Sequence, residues 1–253
     1  MWQDGSGRAA VDRAGDRAPP LVSVPPASVP DDGGPGGAVS FLGMWVLAAV
    51  PDEVVDDVAP VLGPHIDGQR ELARTQELWR RWSAAPERVG GLRALRRRGS
   101  GPSMALDADS EAFQELSSAC PLDEHCEEIY AALDRIPADW RHLALAPGCR
   151  KGFPVAALAH GLGPRRFALL PGWFGDMVLT SQQVRETLPD VVAALELTAE
   201  QRREARQRAV EWLCDSGDGD PGEAATMLDG VVPLWHAAVE RQAGLLGCMF
   251  IPG

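Results

Sequence analysis

Two apolar segments, one near each end, constrain this 253-residue chain more than anything else in it. "VSFLGMWVLAAV", residues 39–50, holds no charged residue and is bounded by glycine and proline. That texture reads as a strand buried on both faces. Its core, "FLGMWVLAAV", is about half the length that a bilayer span needs. "LLGCMFI", residues 245–251, is a second buried strand. Most of what lies between has helical period. The expected fold class is therefore α+β: a helix-rich single domain over residues 39–253, with a small sheet formed by terminal and central short strands, the terminal strands pairing.

Residues 1–38 are rich in Pro, Gly, Asp and Ser and offer almost nothing to bury, so they are expected to be a disordered leader. A start near Val39 or Met44 would place them outside the native protein. The leader is too long and too acidic before the apolar run for a signal peptide. Five cysteines form no C-x-x-C pair and no even framework, which points to reduced thiols and a cytoplasmic location.

Asp52 is placed to N-cap a helix that carries Val54, Val55, Val58, Val61 and Leu62 on one face. Leu72, Gln76, Trp79 and Trp82 follow at helical spacing, with the tryptophans expected in the core. Pro121 separates a helix holding Phe113 and Leu116 from one holding Leu122, Cys126, Ile129 and Leu133. Residues about 65–120 are expected as a helical and Arg-rich insertion. "DWRHLALAPG", "RRFALLPG" and "WFGDMVLT" look like short strands or tight loops around a short helix at "PVAALAHG".

The phrase Leu-Thr-x-x-Gln occurs twice, with Thr180 three residues before Gln183 and Thr198 three before Gln201. Each is a capping box, in which the hydroxyl accepts from the third backbone N–H and the glutamine reaches back. The two helices they open carry Val184, Leu188, Val191 and Leu195, then Ala205, Ala209, Trp212 and Leu213. The recurrence is helix punctuation, not a repeated functional element.

The search for chemistry mostly excludes. Net charge is −12, which repels phosphate backbones and anionic lipid, so nucleic acid and membrane are disfavoured as partners. "GDGDPG", Gly217 to Gly222, matches G-x-G-x-x-G, but a helix precedes it and Asp218 and Asp220 would repel a pyrophosphate. Cys120, His125, Cys126 and His142 fit no zinc spacing, so no metal or cofactor is expected. The basic cluster Arg93, Arg96, Arg97 and Arg98 reads as a solvated loop.

"PGWFGDM", Pro171 to Met177, is the most unusual local text. Trp173 and Phe174 between glycines suit a tight loop lining a cleft, with Asp176 a polar group at its edge; these three are the candidate binding residues. The expected function is a non-enzymatic binding module of inhibitor or immunity type, whose acidic surface meets a protein partner with a basic surface. The alternative is a small-molecule enzyme with a cleft between the 171–177 loop and the 139–148 segment. Asp176 and either His142 or His160 would then be its catalytic acid and base.

Three stretches resemble the YfbM-like bacterial proteins, a family of unknown function. "FLGMWVLAAVPDEVVDDV" is similar to its opening Gly-Met strand and acidic helix. "GWFGDMVLTSQQVRETLPDVVAAL" is similar to its Gly-aromatic-Gly turn before a capped helix, and "MLDGVVPLWHAAVERQAGLLGCMFI" to its closing helix and strand. "LDRIPADWRHLALAPG" corresponds to its Trp-x-x-Leu-His segment through Trp140 and Leu143. Ala144 stands where that family has histidine, and Pro147-Gly148 where it has Thr-Gly. The resemblance covers half of the chain and implies a compact α+β domain with no established catalytic residues.

Overall fold

In the computed structural model, β1 (Leu42–Val50) and β7 (Gly244–Phe250) lie side by side and antiparallel, with Trp45 opposite Met249 and Val50 opposite Gly244. The structure describes residues 42–90, 93–95, 103–150, 152–216 and 220–251. The leader, Arg96 to Arg98 and Gly217 to Gly219 lie outside these residues. β6 (Met177–Leu179) borders β7, while β4 (Ala144–Leu145) and β5 (Gly148–Arg150) border β1; every pairing in this sheet is antiparallel. β2 (Arg93–Leu95) and β3 (Ser103–Ala105) form a separate two-stranded antiparallel sheet. The protein is α+β, with the terminal strands at the centre of its sheet.

A strand sends successive side chains to opposite faces. When both faces are apolar, both need cover, and the chain supplies it unequally. Val50, Leu246, Cys248 and Phe250 pack under α1 (Asp52–Glu71) and α4 (Cys126–Asp134), against Val54, Val58, Leu62, Ile129 and Ala132. Trp45, Leu47, Ala49, Leu245 and Met249 face the larger cluster. That cluster is built by α2 (Ala73–Ala84), α3 (Ala108–Ser117), α5 (Pro154–Leu162), α7 (Ser181–Leu195), α8 (Ala199–Ser216) and α9 (Pro221–Arg241). Among the described residues, no helix is long and apolar enough to cross a membrane.

Both capping boxes form. Thr180 Oγ1 accepts from Gln183 N at 3.3 Å and Gln183 Oε1 from Thr180 N at 2.9 Å; Thr198 and Gln201 repeat this at 3.2 and 3.1 Å. Two expectations need correction. Asp52 does not cap its own helix, where Pro51 stands at the N-cap; its carboxylate accepts from Ser181 N at 2.7 Å and Ser181 Oγ at 2.6 Å, bracing the start of α7. "RRFALLPG" is not a strand: α6 (Pro164–Phe167) and a turn take its place. In the described part of the 65–120 segment, α2 and α3 pack into the core. Leu78, Trp82, Phe113 and Leu116 belong to the larger cluster, so this segment is one of its walls.

Candidate functional site: an aromatic cavity under the 172–176 turn

β6 is entered through a two-residue hairpin. Trp173 and Asp176 exchange backbone hydrogen bonds at 2.9 Å each way, and the residues between them, Phe174 and Gly175, have φ of 41° and 93°. Positive φ at both central positions is the geometry of a type I′ turn, which matches the twist of a hairpin. Glycine suits the second position on packing grounds too, since a Cβ there would lie 2.7 Å from both Trp45 Nε1 and Val155 Cγ2. Phenylalanine at the first position is strained. Its ring is held nonetheless, 2% exposed, with Phe167, Trp173 and Trp82 at centroid distances of 5.0, 5.2 and 6.2 Å. Trp45 Nε1 donates to Gly175 O at 3.1 Å and so fastens the turn to β1.

Between this turn and the helices above it is a cavity of about 470 Å³. Trp45, Val155, Leu158, Phe167, Phe174 and Met177 make its apolar floor, and Trp79 and Trp173 stand in its walls, their rings 5.7 Å apart. The mouth is polar. Arg70 comes from the last turn of α1, while Gln76 and Arg80 lie one turn apart on α2, and all three are exposed. The chain turns at Leu72, where an extended residue separates the two helices; this brings Arg70 and Arg80 to one opening. Among the described lining residues there is no carboxylate, imidazole, thiol or hydroxyl.

Trp173 and Phe174 thus line the cavity, but with their bodies turned inward: Trp173 is half-buried and Phe174 buried. Asp176 is not at the edge of a cleft. It is 0% exposed, and its Oδ1 accepts from Met249 N at 2.6 Å. β6 starts one residue later, where Met177 stands opposite Gly247, so the carboxyl replaces a strand carbonyl just where the ladder stops. Among the described residues Asp176 Oδ2 has no partner, nor has Trp173 Nε1. Burial pushes the Asp176 carboxyl well above the usual range; the Met249 N–H opposes this and Asp123 adds to it. Burial likewise raises the Cys120 thiol, with Asp176 and Asp123 adding to the push.

The three acid–base candidates are not brought together. His142 is exposed and lines no part of the cavity. His160 packs against Phe113 and Trp212 at ring distances of 6.0 and 5.3 Å. Burial lowers its pKa to about 4, helped by Arg208 and opposed by Glu211. The 139–148 segment does not reach the cavity either; its β4 and β5 residues are spent on the far edge of β1. Among the described residues no three His, Cys, Asp or Glu gather in a way that could hold a metal ion.

Sequence reasoning missed Arg70, Gln76 and Arg80. The signal available was the Gln76–Trp79–Arg80 spacing, which puts two polar groups and an aromatic on one helical face. No family model matches the chain, and no curated protein or solved structure does either.

Proposed function

We propose that this protein binds a small organic molecule in the cavity under the 172–176 turn and performs no chemistry on it. The carrying observation is the wall itself: about 470 Å³ faced by tryptophan, phenylalanine and aliphatic side chains, with Arg70, Gln76 and Arg80 as the charged and amide side chains of its described lining. Volumes of this order, apolar with a few placed polar groups, are typical of sites for small molecules. A general acid or base has to stand within hydrogen-bond reach of the reacting group. Arginine and glutamine, the polar residues of the lining, are poorly suited to that work at neutral pH. Docking of a basic protein partner is the weaker reading. The aromatic anchors it would need, Trp173 and Phe174, point into the body of the protein.

The test is a thermal-shift screen of flat aromatic and alicyclic compounds, with Ala168→Trp as the control. Ala168 is exposed at the cavity wall, so a bulky side chain there obstructs the opening without entering the core. A ligand at a hundred times its Kd stabilises the fold by about 2.7 kcal/mol. Compounds that raise Tm in the native protein and fail to do so in Ala168→Trp support the reading. Compounds that stabilise both proteins equally contradict it.

A further inference from the structure

We infer that the ligand of this cavity is an anion, its carboxylate or phosphate set between Arg70 and Arg80 and its apolar body lying in the cavity against Trp79 and Trp173. This rests on the binding reading above and adds the chemical class. Arg74 and Arg81, on the same helix as Arg80, are both committed to carboxylates of α3, Glu115 at 2.6 Å and Asp109 at 2.7 Å. The two arginines at the mouth are not. Arg80 makes only an Nε bond to Gln76 O of its own helix, at 3.2 Å, and Arg70 has no hydrogen bond or ion pair among the described residues.

The chain carries 36 acidic residues against 24 basic ones, yet among the described residues no acidic one lines this cavity. Its overall field repels anions, so an anionic ligand would need local cations to be held. A guanidinium offers a planar fork that matches carboxylate and phosphate oxygens two at a time. Gln76, one turn before Arg80, adds an amide donor at the same opening. The apolar walls beside the arginines exclude water and strengthen the attraction over its value in solvent.

Isothermal titration of three probes sharing one ring system tests this: 2-naphthoate, 2-naphthyl phosphate and neutral 2-naphthylmethanol. The native protein is expected to prefer at least one anion over the alcohol by roughly tenfold. Whichever anion leads identifies the head group. In the double variant Arg70→Gln/Arg80→Gln that preference should fall close to one. Both side chains are exposed, so the variant is expected to fold, and circular dichroism checks this. A second reading needs no variant: rising salt should weaken the anions and leave the alcohol unaffected. Equal binding of all three probes, or an anion preference insensitive to both substitution and salt, overturns the inference while leaving the cavity as a site. Failure of all three to bind overturns the site reading and the inference together.

Discussion

Trp45 Nε1 donates to Gly175 O at 3.1 Å, joining the first strand to a turn 130 positions later in the chain. The bond is buried, so each partner depends on the other for its polar satisfaction. It also fixes the cavity floor, because Trp45, Phe174 and Gly175 all line it.

Removing the donor while keeping an aromatic ring leaves the Gly175 carbonyl orphaned. Trp45→Phe should cost about 1–3 kcal/mol in urea unfolding. Gly175→Ala should cost at least as much, since the new Cβ meets both Trp45 Nε1 and Val155 Cγ2 at 2.7 Å and φ is 93°. A Gly175→Ala variant as stable as the native protein would contradict this packing.

Phe174 poses two effects against each other. Glycine at that position relieves strain of roughly 1–3 kcal/mol, but losing a buried phenyl costs about 3–5 kcal/mol. Burial should win, so Phe174→Gly is expected to be less stable by about 2 kcal/mol, read from denaturant midpoints. A stabilised variant would mean that the ring contributes little.

Asp176 gives a pH dependence. Its folded carboxyl is raised above its unfolded value, so above the ordinary carboxylate range the unfolded chain has lost a proton that the folded chain keeps. Stability attributable to this group is fully present at acid pH and declines as pH rises toward the folded pKa. Asparagine keeps an acceptor for Met249 N and cannot ionise. The stability of Asp176→Asn relative to the native protein should therefore increase from pH 4 to pH 8, measured by urea unfolding at each pH. A difference that stays flat would show that Asp176 is not held neutral.

His160 acts with the opposite sign. Its pKa of about 4 lies below the ordinary imidazole value of about 6.5, so its contribution is present above the ordinary value and is lost as pH falls toward 4. His160→Phe should lose less stability than the native protein between pH 7 and pH 4. An identical acid profile for the two would contradict the burial assigned to this ring.

What was legible in the chain was mostly local or strongly periodic. The two Thr–Gln caps and the apolar faces of α7 and α8 follow from neighbours within one or two turns, and tertiary packing did not override them. The terminal strands were legible because a segment apolar on both faces has few alternatives to the middle of a sheet. Asp52 was misjudged because an N-terminal carboxylate can serve any nearby donor, and Ser181 comes close only after folding. Asp176 was misjudged for a related reason: whether it faces a cleft or a strand end depends on where β6 stops against β7. Trp173 and Phe174 stood out as a glycine-flanked aromatic pair. Arg70, Gln76 and Arg80 meet at one opening only because the chain bends at Leu72, and no local pattern announces that bend.

The most direct measurement is a two-dimensional spectrum of the tryptophan indole N–H groups, recorded while 2-naphthoate is added to the nitrogen-15-labelled protein. The cavity is lined by Trp45, Trp79 and Trp173 and not by Trp140, Trp212 or Trp235. Shifts concentrated on the first three resonances, saturating together, are the expected result. Shifts centred on Trp140, Trp212 or Trp235, or no saturable shift at all, would contradict the assignment of this cavity as the binding site.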